Sequence, residues 1–553
     1  MSDYYDLGTY SRKISTDSVD AQTWFDRGLI WCYAYNHGES VECFKKAAIA
    51  DPNCAMAYWG IAYAAGPNYN KQWDAFDEED MIATLRESYQ GAQSALQRAA
   101  STTLVERRLI EALARRYHSD QPAQDFSIWN DDYANAMRDV YEAHPDDMDV
   151  CTLFAEALMN RTPWALWDLD TGAAAEGANT VEAVDVLERA MSMVERAGDD
   201  RHAGLLHLYI HMMEMSPHPE RALRAGDELR HLVPDAGHLC HMPTHIDVLC
   251  GHYHNVVVSN TVGIVADRKF LEREGPLNFY STYRVHNYHF KLYGAMFLGQ
   301  YHAAMEAADE LAQTLPEALL RVESPPMADW VEGFVGMKMH ALIRFGKWQQ
   351  IIDEPLPTDT TLYCMTTAVS HYAKTVAYAA SGNIEAAEAQ KIEFESAFEQ
   401  VSETRQLFNN TCRDILSVAA AMLNGEIDYR KGNYDTAFEH LRRAVELDDR
   451  MPYDEPWGWM QPARHALGAL LLEQNQLLEA EAVYRADLGL DGTLRRACQH
   501  PENVWSLHGL HECLVKLGKT AEVQIVEPRL RLALARADVP IKSSCFCRLN
   551  HAA

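Results

Sequence analysis

Histidine is the residue type whose placement in this chain suggests chemistry. Half of the 24 histidines lie between His202 and His289, and their gaps are those of helix faces. His207 and His211 are four apart in LLHLYIHMME. His238, His241 and His245 follow in GHLCHMPTHI at gaps of three and four, and His286 and His289 are three apart in YRVHNYHFKLY, where Tyr293 continues the stripe. Residues three or four apart share one face of an α-helix. His207 and His241 are separated by 34 residues, and so are His211 and His245. A neutral imidazole carries one donor and one acceptor, so burying seven of them without partners is costly. A divalent transition metal removes that cost, because imidazole is the commonest metal ligand and three or four complete a site. The competing readings are a metal-free histidine pocket that holds a ligand or moves protons, and accident, since a single HxxxH pair usually has no function.

The donor set leaves the ion open among Zn, Fe and Cu. Three histidines with a free position suit Zn. An added carboxylate, Glu156 or Glu214, suits non-haem iron, and six or more histidines from paired helices suit two coppers. The thioethers of Met212, Met213, Met215 and Met242 are near in sequence, but helical spacing turns most of them away. Glu214 and Asn287 are placed to take the second ring nitrogen of a ligand.

The elements that must position these residues are helices. Ala, Leu, Glu and Arg recur at helical spacing, and long alternating β-branched runs are nearly absent, so the fold class is all-α. Small and bulky residues also recur in a fixed order. Counted from Ala21, Trp24, Gly28, Trp31, Phe44, Ala47 and Pro52 fall at positions 4, 8, 11, 24, 27 and 32. Further matches run through Gly425, Gly432, Tyr434, Ala437 and Ala444, and through Gly468, Leu471, Ala480 and Tyr484. Gly251, Gly299, Gly346 and Gly382 mark further turns between paired helices. Asn68–Asp80, Thr162–Gly177, Ser324–Met327 and Asp353–Thr361 read as loops.

This pattern resembles the tetratricopeptide (TPR) repeat, a helix pair of about 34 residues. The resemblance implies a right-handed α-solenoid with a concave central pocket, and a groove lined by positions 2, 5 and 9 of each first helix. In that frame His207 and His241 take position 5 and His211 and His245 position 9. His238 and His286 take position 2, His289 position 5 and Tyr293 position 9. Glu156 and His340 fall at position 9 of their own repeats. The segments TLFAEALMNRTPWALW, HLYIHMMEMSPHPERAL, GHLCHMPTHI and VHNYHF are also similar to a subfamily of bacterial and fungal TPR proteins, from which no general activity carries over. The expected organisation is one continuous superhelix over 1–553. It comprises N-terminal repeats at 21–161, histidine-rich central repeats at 178–350, C-terminal repeats at 362–535 and a tail at 536–553.

A net charge of −31 without a basic stripe repels phosphate backbones and argues against nucleic acid. The first residues lack the layout of a signal peptide, and no apolar run reaches the roughly 20 residues of a spanning helix. A soluble, cytoplasmic protein without a membrane partner is expected, with homo-oligomerisation open. The 12 cysteines fit a reducing compartment, since most sit singly in helical patterns. Cys545-Phe-Cys547 is the exception, and packing in a docked tail is favoured there over a metal or redox role.

The leading expectation is a metalloenzyme acting on a small organic substrate, aromatic or unsaturated, in the groove. His207, His211, His238, His241, His245, His286 and His289 are its metal ligands. Glu156 and Tyr293 are catalytic, and Trp59, Tyr63, Trp164, Trp167 and His340 wall the substrate pocket. Oxidoreductase chemistry is placed slightly ahead of hydrolysis or hydration with Glu156 as base. A metal-free cyclase-type enzyme and a peptide-binding adaptor are the alternatives. His37, at a turn between helices, is expected to serve structure rather than the site.

Overall fold

The computed structural model describes residues 4–198 and 201–549, so the last residues of the expected 536–553 tail lie outside it. Among the described residues there are 27 α-helices, and the only strands are the two-residue antiparallel pair Gln406–Leu407 and Asn410–Thr411. The chain divides into two compact units, Met1–Ile246 with Val262–Tyr280, and Asp247–Thr261 with Ser281–Ala553. Each is a TPR-like stack of helix pairs. No helix among the described residues is long and apolar enough to cross a membrane.

The stacking follows from the small-against-bulky order of the sequence. In the first unit the Phe44 ring of helix His37–Ala50 lies between Gly28 of helix Val19–Tyr33 and Gly60 of helix Ala55–Ala65. A Cβ on either glycine would meet that ring at 2.8 or 2.4 Å. In the second unit Tyr484 occupies the same kind of slot between Gly468 and Gly509, where added Cβ atoms would come within 2.5 and 2.2 Å of it. One aromatic ring thus bonds a helix to both the preceding and the following first helix, which is how a solenoid builds a continuous core from neighbour contacts. Side-chain caps start many of the helices. Thr103 and Glu106 form a reciprocal capping box, and Asp147 accepts from the Val150 amide at 3.1 Å.

The histidine segment after Pro234 is not one uninterrupted helix, although the rings of His238, His241 and His245 remain neighbours. It runs as helix Gly237–His241 and helix Pro243–Leu249, with Met242 between them. Pro243 has no amide hydrogen to continue the first helix, and its ring crowds the preceding turn. The Pro243 side chain instead packs near Gly226, where a Cβ would sit 3.3 Å away.

In the second unit the tail docks on the C-terminal repeats. Arg344 donates to the Ser544 carbonyl, Tyr484 Oη and Ser544 Oγ lie 2.6 Å apart, and Arg548 forms a two-bonded pair with Glu512 at 2.7 and 2.9 Å. Phe546 packs against Gly346 and Trp505, and Cys545 and Cys547 are joined as a disulfide.

Candidate metal centre

Five of the seven predicted ligands lie in the first unit, and all five are buried. Helix Ala203–Glu214 carries two of them. His202 caps this helix: its Nδ1 accepts from the Leu205 amide at 3.2 Å, while Nε2 donates to Asp149 at 3.0 Å. Gly204 lets the helix approach closely, since a Cβ there would meet Thr152 and Tyr33 at 2.8 and 2.9 Å. That approach brings the Tyr33 carbonyl within 2.6 Å of His207 Nδ1. The Nδ1–H of His207 is therefore donated, and its Nε2 carries the lone pair.

The lone pair of His207 faces His238, with the two Nε2 atoms 3.2 Å apart. Two nitrogens bound tetrahedrally to one ion at about 2.0–2.1 Å would be separated by close to that distance. His211 completes the set: one nitrogen from each of His207, His211 and His238 lies within 4.8 Å of the others. Its Nδ1 donates to Glu214 Oε1 at 2.9 Å, and its Nε2 is buried without a hydrogen-bond partner. Burial holds His211 well below the usual histidine range, with His207 and His241 adding to it. Burial likewise lowers His207 to about 3 against the opposing bond to the Tyr33 carbonyl. Both rings are neutral at pH 7, the state in which imidazole binds metal.

Glu214 also joins this set to the next histidines. Its Oε2 accepts from His245 Nδ1 at 2.8 Å, so one carboxylate ties His211 to His245, whose ring centroids are 5.7 Å apart. His211, Glu214 and His245 are close because of these two hydrogen bonds, the arrangement in which a carboxylate orients metal-binding imidazoles. His245 Nε2 lies 2.7 Å from His241 Nε2. The 34-residue spacing thus brings His211 and His245 together as expected. His207, however, meets His238, one turn earlier on helix Gly237–His241, rather than His241.

Sequence reasoning missed Tyr35. Its ring stacks on His211 and His238 at 5.7 and 5.5 Å and tilts onto His207 at 4.5 Å. Tyr35 has φ 54°, a backbone state that bulky residues rarely adopt. The signal was present in the repeat register. Gly251, Gly299, Gly346, Gly382, Gly432 and Gly518 occupy the same turn with φ between 62° and 82°. In the first repeat a tyrosine replaces that glycine, and the left-handed turn aims it over three imidazoles. His37, two residues on, rests its ring 5.7 Å from Tyr35 and places Nδ1 3.1 Å from the Ala64 carbonyl.

The remaining predicted residues divide between the two units. Glu156 is buried in helix Met148–Met159 with Oε2 unpartnered, and burial raises it to about 8 against a weak bond from Asn160. It lines a small cavity with Cys32, Tyr35, Tyr63 and His207, about 10 Å³ to the centres of water molecules, which is room for one water. A carboxyl raised to about 8 by burial holds its proton at neutral pH. Trp59 lies behind Tyr63, stacked at 5.1 Å and 9°, and takes no part in lining the cavity. Trp164 is half-buried, with its ring 6.0 Å from His211 and 5.1 Å from Tyr69. Trp167 donates to the Met212 carbonyl at 2.7 Å and fastens its loop to the histidine helix.

His286, His289, Tyr293 and His340 belong to the second unit. His286 packs against Phe290 and Phe408 at 5.0 and 4.7 Å, and His289 Nε2 lies 2.8 Å from Met460 Sδ. Tyr293 is buried against Phe297 at 4.5 Å, and burial raises its hydroxyl well above the usual range. His340 lies against Trp459 at 5.1 Å.

No protein-family model matches this chain, and no curated protein does. Among solved structures it is similar to a monomeric IFIT1 mutant with m7Gppp-AAAA at 12% identity, covering 94% of this chain and 91% of that one, with TM-score 0.27. A human IFIT1 dimer with m7Gppp-AAAA matches at 11% identity over 94% and 91%, with TM-score 0.24. The Naa15/Naa10 complex bound to HypK-THB matches at 14% identity over 93% and 70%, with TM-score 0.21. Likenesses at these scores carry no argument about this chain, and its fold class rests on its own helices and glycine–aromatic packing.

Proposed function

We propose that the protein is a metalloenzyme that holds a divalent transition metal, Zn, Fe or Cu, on His207, His211 and His238. The observation that supports this most directly is His211 Nε2. It is buried, carries a lone pair and has no hydrogen-bond partner, beside two Nε2 atoms 3.2 Å apart. An unsatisfied buried polar atom costs about 1–3 kcal/mol, which coordination would recover. Glu214 holds His211 and links it to His245 and His241, a second imidazole pair beside the first site.

When bound, copper or iron would supply redox chemistry on a small organic substrate, and zinc would supply Lewis acidity. Redox chemistry is preferred because the donors are almost all imidazole. The chain's own residues then have distinct tasks. Tyr35 shields one side of the imidazoles from water, Tyr63 walls the neighbouring cavity, and Glu156 holds a proton beside His207. That proton and the one-water cavity favour a second reading, hydrolysis or hydration with Glu156 as general acid.

Elemental analysis of the untagged full chain tests the metal. The wild type is expected to carry one of the three metals, and His211→Ala to lose most of it while its helical circular dichroism is retained. A wild type that is metal-free and does not take up added Zn²⁺, Fe²⁺ or Cu²⁺ would overturn the proposal. Oxygen uptake by the loaded protein with a phenol panel supports the redox reading, and metal-dependent ester cleavage without oxygen uptake supports the second.

A further inference from the structure

The docked tail contains a covalent bond that its anchoring does not use. Ser544, Phe546 and Arg548 fasten the tail to the second unit through Arg344, Tyr484, Trp505 and Glu512. The disulfide of Cys545 with Cys547 instead joins two residues of the tail to each other and encloses only Phe546. A cross-link stabilises a fold mainly by closing a loop in the unfolded chain, and the effect grows with loop length, so a bond across one residue stabilises least. The Cα atoms of the pair stand 5.2 Å apart, inside the usual range for a disulfide. The ten other described cysteines are free thiols.

The two sulfurs are not equivalent. Cys547 is 3% exposed, whereas Cys545 is only partly buried. Cys545 Sγ accepts the Cys547 amide at 3.1 Å, and a donor aimed at sulfur favours the thiolate over the thiol. Two cations hold the backbone of this segment. Arg430, paired with Glu426, donates to the Cys547 carbonyl, and Arg344, which has no carboxylate partner among the described residues, donates to the Ser544 carbonyl. Both cysteines, with Arg344 and His465, border a cavity of about 30 Å³ to the centres of water molecules. A partly exposed sulfur with a hydrogen-bond donor and neighbouring guanidinium groups has the surroundings of a reactive cysteine, which an inert buried cysteine lacks.

We propose that Cys545 and Cys547 form a thiol–disulfide exchange site whose partner is a small dithiol. One thiol of the donor loses its proton and attacks Cys545 Sγ, the more accessible sulfur. The bond to Cys547 breaks as the bond to the donor forms, and the electron pair leaves on Cys547 Sγ, which takes up the proton. The donor's second thiol then displaces Cys545 in the same way. The protein gains two electrons and two protons, and the donor becomes a disulfide. A dithiol suits the site because its second thiol is already attached when Cys547, two residues from Cys545, is poised to attack back. This site is independent of the one on His207, His211 and His238, and stands or falls separately from it.

The test maps thiols by peptide-resolved mass spectrometry in the untagged, folded full chain purified in air without reductant. Isotopically distinct alkylating reagents are applied before and after dithiothreitol. Cys545 and Cys547 should resist the first reagent and take the second, with helical circular dichroism unchanged. Cys547→Ser keeps the thiol of Cys545, and Cys545→Ser keeps that of Cys547. The first variant should form a mixed disulfide with glutathione disulfide about tenfold faster than the second, or more. Labelling of both cysteines by the first reagent in the wild type would overturn the proposal, and so would reduction that requires urea at unfolding concentrations. These two results stand whether or not the serine variants fold. Equal rates for two folded serine variants would overturn it as well.

Discussion

At the scale of single residues, Glu214 and Glu156 show how burial assigns two carboxylates opposite tasks. Glu214 accepts one bond from each of two histidines and so fixes which nitrogen of each ring carries the lone pair. Glu156 has one weak partner, Asn160 Nδ2 at 3.4 Å, and burial raises it from 4.5 to about 8. A carboxyl whose folded value is raised stabilises the fold while it is protonated, and that contribution is lost as pH rises through the folded value. In metal-stripped protein, stability should therefore fall between about pH 5 and pH 8, by roughly 4–5 kcal/mol if the whole shift is expressed. Glu156→Gln should flatten the slope in urea melts across this range. A variant that keeps the wild-type slope would mean that Glu156 is ionised in the folded protein at neutral pH.

At the scale of elements, the turn that delivers Tyr35 carries the argument. Six other helix-pair turns place glycine in the left-handed region, where a side chain is strained, and this one places tyrosine there. Such strain is of order 1–3 kcal/mol and persists only where the surroundings hold it, as the two stacked imidazoles and the tilted third do here. Tyr35→Gly and Tyr35→Ala both delete the ring, so comparing them isolates the backbone. Alanine normally stabilises relative to glycine through the unfolded chain, but at positive φ the order reverses, and Tyr35→Gly should be the more stable by about 1 kcal/mol. Thermal melts of the two variants measure this directly, and an alanine variant of equal or greater stability would contradict the strained turn. The break at Pro243 belongs to the same scale. It divides the segment into two short helices, yet His241 and His245 on either side of it keep their Nε2 atoms 2.7 Å apart.

At the scale of the whole molecule, the docked tail is the feature with a measurable consequence. Removing 541–553 would strip Arg344 of the Ser544 carbonyl, Tyr484 of the Ser544 hydroxyl and Glu512 of Arg548. Arg344 is buried, and burial already lowers it to about 9. Leaving a buried charged group short of a partner costs upwards of roughly 1–3 kcal/mol, so the truncated chain should lose several kcal/mol in the second unit. Hydrogen exchange should accelerate in helices Met337–Arg344 and Val504–Lys516 and stay unchanged in helix Ala203–Glu214. Unchanged protection in all three would show that the tail adds no stability.

The residues also divide clearly by what each level determined. The all-helical class, the helix-pair turns and the slots for Phe44 and Tyr484 were legible in the sequence, because repeat packing is local and recurs at a fixed period. The tie between His211 and His245 was legible for the same reason, since a 34-residue spacing places equivalent positions on adjacent helices. The pairing of His207 with His238 was not, because their separation of 31 residues falls off the repeat period and only the packing of the two helices decides which imidazoles meet. The neutral state of Glu156 was not, because a carboxyl's proton affinity depends on burial by elements distant in sequence. Nor was the approach of Met460 to His289 across 171 positions, which no repeat period encodes and only the packing of an irregular segment decides.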